Sequence, residues 1–452
     1  MNPPLRERFG AYSPERRTAL VLCGTGAHGA YHAGVLRALQ EAGVKIDVFA
    51  GHGVGAGGAA LGAIDGGPRL WDADGIWQSR RVSRLYGWTL LARVAALGAG
   101  IVSVILATAL VAIALGFVLP RSWALAFLAT LALIGAAAIV VQRRAPARRR
   151  TEGAWWWRIA GAPIEAEDAR QLFGRAIWEL IRGAAPLQQP SRAALGRRYS
   201  EVLQENLGQP GFGELVLVAT DLDARRDIVA ALLREPFRAD FIAPRPDRDR
   251  RSEILDLTGV GRDHALDIIA GAVTPPLVCE PELVTFAPDG FWRGETHRVC
   301  DRPGAVNRLL EEVAAAGATQ AIVVSAVAPS AAPHQLRATR IDIRGRLGEF
   351  QLAAEAAAMR DALEMARLRF DSIYVVCPAH NPVGPFDVTG AYDQASDRRQ
   401  GLQELMERAY QDAYRQFIEP VVGASGEHLA RAQSGTSEHV HHRVFDDADP
   451  SG

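Results

Sequence analysis

The sequence predicts an α/β fold in which helices cover a mostly parallel sheet, in three layers, with two apolar helices inserted. Two short apolar segments, Thr18 to Cys23 and Val48 to Ala50, each lead into a glycine-rich turn and then a helical pattern. Such strand–turn–helix units indicate parallel strands joined by helices. The third observation is an uncharged apolar stretch from Val94 to Leu119, followed by a second from Trp123 to Val141.

The second glycine-rich turn has the frame of a hydrolase active site without its reactive atom. The segment from Gly51 to Gly55 reads GHGVG and lies between a strand and a small-residue helix. This is the setting of the G-x-S-x-G nucleophile elbow. The central position is Gly53, which has no side chain with which to attack a carbonyl. Because glycine accepts strained elbow dihedrals, its presence here is also expected to relieve backbone strain.

The first glycine-rich turn is expected to bind an oxyanion. Backbone N–H groups at a helix N-terminus are available to an anion or to the negative oxygen of a reaction intermediate. The sequence therefore predicts a turn whose N–H groups face Gly53. Its residues are Gly24, Thr25, Gly26, His28 and Gly29.

The two turns, in this order and at this spacing, resemble those of the patatin-like phospholipases. In that family a G-G-G-x-R-G oxyanion loop precedes a G-x-S-x-G elbow. The similarity extends from about Ala19 to Phe417, with one insertion, and includes the segments 219–222 and 274–276. The resemblance implies a lipid acyl hydrolase fold. It also implies that Thr25 replaces the middle glycine of the loop, His28 its arginine and Gly53 the nucleophilic serine.

The resemblance further implies a Ser–Asp dyad whose aspartate is Asp301. The family has a D-G-G/A turn there, whereas this chain has Arg302 and Pro303 after the aspartate. Because there is no serine hydroxyl to deprotonate, Asp301 is expected to accept hydrogen bonds from nearby backbone N–H groups instead. Asp289, the rival position, is better explained as a β-turn residue.

Two other kinds of site, a dinucleotide site and a rearranged hydrolase, are alternatives at these turns. A dinucleotide site is disfavoured, because Asp47 precedes its strand instead of ending it. In a rearranged hydrolase, His52 beside the elbow and Asp301 would activate water directly, and His28 and His32 lie near the other turn. Thr25 and Cys23 are weaker candidates. Histidines held by nearby backbone groups are the simpler expectation.

The apolar insertion predicts a helical hairpin that crosses a bilayer twice. Both stretches approach or exceed the roughly 30 Å of a hydrocarbon layer. Arginines and tryptophans flank the hairpin, so both of its outer ends are expected in the cytoplasm. These residues are Arg80, Arg81, Arg84 and Trp88 before it, and Arg143, Arg144, Arg148, Arg149, Arg150, Trp155, Trp156 and Trp157 after it. The alternative is a buried hairpin inside a soluble domain.

The chain is expected to divide into five segments. These are a tail (1–17), the first part of the patatin-like domain (18–88), the transmembrane hairpin with its basic flanks (89–150), the second part of the domain (151–422) and a disordered tail (423–452). A net charge of −1 gives no case for nucleic acid as a partner. Neither a metal nor a cofactor is predicted, since His439, His441 and His442 lack acidic or cysteine ligands at suitable spacing.

These features predict a catalytically inactive protein that binds a membrane lipid or an acyl chain. It would be anchored in the cell inner membrane by two spans, with its main domain in the cytoplasm. One alternative is a lipid acyl hydrolase of the phospholipase A type with a rearranged active site. Another is a membrane-anchored interaction scaffold. The sequence leaves the oligomeric state open.

Overall fold

A computed structural model describes residues 12–116, 121–144, 161–243, 252–328, 343–379, 383–393 and 398–423. Several predictions fall outside the described residues. They concern most of the N-terminal tail, the C-terminal tail with His439, His441 and His442, and the flanking residues Arg148 to Arg150 and Trp155 to Trp157.

The strands in chain order are β1 (Thr18–Cys23), β2 (Val48–His52), β3 (Gly87–Trp88), β4 (Ile164–Glu165), β5 (Glu214–Asp221), β6 (Arg226–Leu232), β7 (Ser252–Asp256), β8 (Glu282–Thr285), β9 (Thr296–Cys300), β10 (Gln320–Ser325), β11 (Ser372–Val376), β12 (Ala391–Asp393) and β13 (Arg398–Gln400). The α-helices are α1 (His28–Glu41), α2 (Val54–Gly62), α3 (Pro68–Trp71), α4 (Leu90–Ala114), α5 (Arg121–Arg144), α6 (Glu167–Arg182), α7 (Arg192–Asn206), α8 (Phe237–Ile242), α9 (Ala265–Ala272), α10 (Val306–Ala315), α11 (Ile343–Ala366) and α12 (Leu402–Ala413).

The central sheet is mostly parallel, as the sequence predicts. Its strand order is β11-β10-β1-β2-β5-β6-β7. Every neighbouring pair in this order is parallel except β5 and β6. Strand β9 runs antiparallel to β8 and to the last two residues of β5. Because β1 and β2 are parallel neighbours, the turns that follow them lie at the same edge of the sheet.

Helices pack on both faces of this sheet because the side chains of its strands alternate between them. Ala19, Val21 and Cys23 of β1 belong to a buried core that also contains residues of α10 and α11. Leu22 belongs to the opposite face, where a β-carbon at Gly58 of α2 would lie 3.2 Å from its Cδ1 atom. The sequence therefore folds as helix, sheet and helix.

The apolar insertion forms a separate compact unit, residues 86–168 with 276–280. Strands β3 and β4 pair antiparallel on either side of the helices in the chain. Helices α4 and α5 pack against each other at Gly98, where a β-carbon would lie 2.9 Å from Ile134 Cδ1. The two insertion helices therefore form a hairpin.

In the described part of the chain, one helix is long and apolar enough to cross a bilayer. It is α4, with 25 residues and a mean hydropathy of 2.5. Among the described residues, α5 contributes a shorter apolar helix, Ser122–Ala137, which covers about 24 Å at 1.5 Å per residue. Alanines and a glycine dilute the second stretch, so the prediction of two full spans is not confirmed.

Candidate functional site

Gly53 stands at the sharp turn between β2 and α2, in a conformation that favours glycine. Its φ and ψ angles are 59° and −138°, a region that residues with side chains rarely adopt. A β-carbon at this position would lie 2.3 Å from the carbonyl oxygen of Gly24 and 3.1 Å from Asp301 Oδ2. The place where a nucleophilic side chain would start is thus taken by a main-chain oxygen.

The turn after β1 presents a carbonyl to the elbow, where N–H groups were expected. The N–H group of Val54 donates a hydrogen bond to the Gly24 carbonyl oxygen, at 2.9 Å. The N–H of the residue after a nucleophile is one of the two donors of an elbow-type oxyanion hole. Here that donor is already satisfied within the protein.

Three N–H groups at the helix end of this turn donate hydrogen bonds within the protein. Ala27 donates to the carbonyl oxygen of Pro385 at 2.7 Å. His28 and Gly29 donate to the carbonyl oxygens of Thr25 and Gly26, at 3.3 and 3.2 Å. The two short-range bonds, from His28 and Gly29, begin helix α1.

Asp301 lies directly at the elbow, although Gly53 offers it no hydroxyl. It follows strand β9, and its N–H group donates to the Thr274 carbonyl oxygen at 2.8 Å. Its carboxylate is 1% exposed and accepts a hydrogen bond from the Thr25 hydroxyl, at 2.7 Å. Among the described contacts, the donor to this carboxylate is therefore a threonine hydroxyl and not a backbone N–H group.

The residues around Asp301 fix its position. Arg302 extends away and pairs with Asp227 on strand β6. Asp289 is exposed in the turn before β9, where Gly290 donates to the Ala287 carbonyl oxygen at 3.0 Å. Asp289 therefore lies in a β-turn, as its local sequence predicts.

His52 is the charged partner of Asp301. Its Nδ1 atom lies 3.6 Å from Asp301 Oδ1, and its ring is 1% exposed. Burial lowers the pKa of His52, but the Asp301 carboxylate and the Cys23 thiol outweigh burial and raise the pKa to about 10. With this raised pKa the His52 imidazole holds its proton at neutral pH, which leaves it unsuited to act as a general base.

The other two histidines are buried and neutral. Burial lowers the pKa of His28 to about 3 and that of His32 to about 4. The Nε2 atom of His32 donates to the carbonyl oxygen of Cys23, at 3.0 Å. His32 therefore has the backbone-satisfied role that is usual for a core histidine.

Glu355 on helix α11 completes the site and was missed from the sequence. Its Oε1 atom lies 3.4 Å from the Thr25 hydroxyl, and its Oε2 atom 3.7 Å from His28 Nδ1. Burial raises the pKa of Glu355 to about 7. Gln351, four residues earlier, lies on the same buried helix face. Both are polar residues one helical turn apart in an alanine-rich segment, a pattern that does not by itself indicate burial.

The site brings together five side chains at the carboxyl edge of β1 and β2. They are Thr25, His28, His52, Asp301 and Glu355. Asp47 lies at the other end of β2, where its carboxylate accepts the N–H group of Thr18 at 2.9 Å. Within the described residues, no group of three or more His, Cys, Asp or Glu side chains is arranged to hold a metal ion.

Residues 20–256, more than half of the chain, match the model of the patatin family, described as patatin-like phospholipase. A segment of 72 residues is 39% identical to Lysophospholipase nte1 of Emericella nidulans and spans 16% of this chain and 4% of that protein. Among solved structures, VipD from Legionella pneumophila is similar at a TM-score of 0.32 and 14% identity, over 91% of this chain and 67% of that one. The type III effector protein ExoU is similar at a TM-score of 0.29 and 15% identity, over 90% and 54%.

Proposed function

The chain belongs to the patatin-like phospholipase family, and we propose that it is a catalytically inactive member that binds a membrane lipid or an acyl chain. The observation that carries the proposal is the Gly24 carbonyl oxygen, 2.3 Å from where a β-carbon of residue 53 would stand. Ester hydrolysis at an elbow needs a nucleophile there and N–H donors for the oxyanion. This chain has a glycine at the elbow and a carbonyl oxygen bonded to the neighbouring donor.

The electrostatics of the site support the same conclusion. A carbonyl oxygen beside the elbow repels the negative oxygen of a tetrahedral intermediate, whereas a catalytic site stabilises it. Asp301 is engaged by Thr25 and His52, so it has no free role as a general base.

The glycine frame nevertheless keeps the geometry of the family's fold. A β-carbon at Gly51 would lie 2.3 Å from the Gly55 carbonyl oxygen, and one at Gly55 would lie 2.2 Å from that of Leu22. Such close backbone approach admits only glycine. A fold that retains its acyl hydrolase frame without the nucleophile is suited to bind a lipid without cleaving it.

We extend the proposal to anchoring by the insertion, with helices α4 and α5 as a two-span hairpin whose outer ends are cytoplasmic. Leu97 and Leu110 of α4 are each 67% exposed, as lipid-facing residues would be. Helix α5 continues from Arg121 to Arg144, about 36 Å in all. Arginines before and after the hairpin favour the cytoplasmic side for both ends.

One contact favours a second candidate, a rearranged hydrolase. The Thr25 hydroxyl donates to Asp301 at 2.7 Å, which is the hydroxyl–carboxylate contact of a Ser–Asp dyad. Against it, Thr25 is fully buried, and its own turn directs a carbonyl towards the elbow. A scaffold without any lipid site is the third candidate.

Activity-based labelling of the purified full-length protein separates the first two candidates. We expect no fluorophosphonate adduct and no hydrolysis of a short-chain ester, with an active serine hydrolase labelled in parallel. An adduct located on Thr25, lost in Thr25→Val and kept in Thr25→Ser, would establish the rearranged hydrolase instead. Native mass spectrometry of the protein released from mild detergent tests whether a lipid is bound. We expect a bound acyl lipid. A lipid-free protein would favour the third candidate, the interaction scaffold.

A further inference from the structure

Four buried side chains beside the elbow form a polar group that the proposed inactive site does not explain. We call it the Glu355 cluster; it consists of Thr25, His28, Gln351 and Glu355. Their exposed fractions are 0%, 0%, 1% and 6%. Thr25 and His28 come from the turn after β1, and Gln351 and Glu355 from one face of helix α11. The two elements meet at Glu355, which lies 3.4 Å from the Thr25 hydroxyl and 3.7 Å from His28 Nδ1, and Gln351 is one helical turn before it.

Several polar atoms of this cluster lack a protein partner. Within the described residues, both ring nitrogens of His28 and both polar atoms of the Gln351 side chain make no hydrogen bond. Buried polar groups are almost always hydrogen-bonded, because an unsatisfied donor or acceptor is destabilising. The unsatisfied groups include donors and acceptors, since a neutral imidazole has one of each and an amide has both. A matching occupant must therefore both donate and accept.

The charge of the cluster determines whether the bound group is neutral or negatively charged. His28 is neutral because burial lowers its pKa, and Glu355 contributes either a neutral or a negative carboxyl. His52, whose charge acts on Glu355, already pairs with Asp301. No arginine or lysine of the described residues forms an ion pair with Glu355. A phosphate group would thus be buried next to carboxyl groups without a counter-ion, which is strongly unfavourable.

We propose that the Glu355 cluster binds a neutral diol, such as the glycerol end of a monoacylglycerol, and excludes a phosphate-bearing headgroup. A hydroxyl group both donates and accepts, as His28 and Gln351 require. This inference rests on the proposed lipid-binding function and specifies the headgroup. The same diol chemistry occurs in free glycerol, so the test must separate the lipid from the free polyol.

The test compares three probes on the full-length protein in a non-ionic detergent, with binding followed by native mass spectrometry and thermal shift. The probes are 1-oleoylglycerol, 1-oleoyl-lysophosphatidate and free glycerol. We expect 1-oleoylglycerol to bind at least tenfold more tightly than lysophosphatidate, and glycerol to bind far more weakly than either lipid. Equal or tighter binding of lysophosphatidate would overturn the headgroup inference while leaving lipid binding intact. Absence of binding by both lipids would overturn the proposed function as well.

Two variants locate the effect in the cluster. Gln351→Leu removes a donor and an acceptor and is expected to weaken 1-oleoylglycerol binding at least tenfold, whereas Gln411→Leu on the exposed face of α12 leaves it unchanged. Glu355→Gln keeps the hydrogen bonding and removes the charge. At pH 8 it should keep 1-oleoylglycerol binding within twofold and improve lysophosphatidate binding. Unchanged binding in Gln351→Leu, with the fold intact by circular dichroism, would refute the site.

Discussion

The N–H group of Val54 donates to the carbonyl oxygen of Gly24 at 2.9 Å, and this one bond joins the two turns of the site. In a working elbow the corresponding N–H group serves the oxyanion of the substrate. Here it is satisfied by the protein itself, and the same carbonyl oxygen fills the space above Gly53. The Gly24 carbonyl oxygen therefore both occupies the space above Gly53 and engages the neighbouring Val54 donor.

Restoring the serine alone is expected to fail for this reason. In Gly53→Ser the new β-carbon would overlap the Gly24 carbonyl oxygen, which lies 2.3 Å from its position, and the backbone would keep a φ of 59°. Overpacking and strain together should destabilise the fold by about 2–4 kcal/mol. Urea unfolding of the purified variant measures the change, and fluorophosphonate labelling should stay negative.

A matched pair of variants separates bulk from chemistry at this position. Gly53→Ala carries the same β-carbon without a hydroxyl and should be destabilised about equally. Adding Thr25→Gly to Gly53→Ser frees the turn to move and leaves Asp301 available to the new hydroxyl. Weak labelling should then appear. A wild-type unfolding midpoint for Gly53→Ser, or strong labelling of that single variant, would show that the Gly24 carbonyl does not block the elbow.

Thr25 is expected to stabilise the fold through Asp301. Thr25→Val keeps the volume and removes the hydroxyl that donates to the buried carboxylate at 2.7 Å. Loss of a hydrogen bond to a buried charged group should lower the free energy of unfolding by about 2 kcal/mol. Thr25→Ser keeps the hydroxyl and should recover most of that loss. Equal stability of the valine and serine variants would contradict a role for this hydrogen bond.

The Glu355 carboxyl is expected to make stability depend on pH in a defined direction. Its pKa is raised from 4.5 to about 7 in the folded protein, so the folded state holds an extra proton between these values. Stability from this group is therefore present below pH 4.5 and is lost as the pH rises through 7.

Glu355→Gln, which imitates the protonated acid, isolates this contribution. The difference in unfolding free energy between wild type and Glu355→Gln should fall with rising pH, by at most about 1.4 kcal/mol per pH unit. The exposed residue Glu364 on the same helix supplies the control, since Glu364→Gln should show no such slope. Because His28 is present in both proteins, the difference between wild type and Glu355→Gln also cancels the opposite pH dependence of stability that His28 contributes. A flat difference between pH 5 and pH 8 would contradict a protonated Glu355.

The sequence was sufficient to predict the parallel sheet and its turns, because these depend on local patterns. Apolar runs that end in glycine turns define β1 and β2, and the order of motifs placed Asp301 near Gly53. The direction of the Gly24 carbonyl was not predictable in the same way. With a φ of 140°, this glycine has conformations open to it that other residues lack. Its choice depends on the contact with Val54, which exists only once the two turns are assembled.

Glu355 escaped prediction for a different reason. The helix around it is alanine-rich and has no strong apolar face, so the sequence does not show which side is buried. Only packing against the turn after β1 buries Glu355 beside His28.

The proposed hairpin gives a prediction about topology. Reporter fusions at the N-terminus, in the 117–120 connection and at the C-terminus should report cytoplasm, the opposite side and cytoplasm, because arginines flank both outer ends. The triple variant Leu97→Asp, Val104→Asp and Leu110→Asp places charges on exposed positions of α4. Each charge near a helix centre costs about 2.5–3.5 kcal/mol of insertion, so this variant should leave the membrane fraction. A matched triple Asn variant should be retained better. Ends on opposite sides would mean that α4 crosses alone, and a fully soluble wild-type chain would exclude any span.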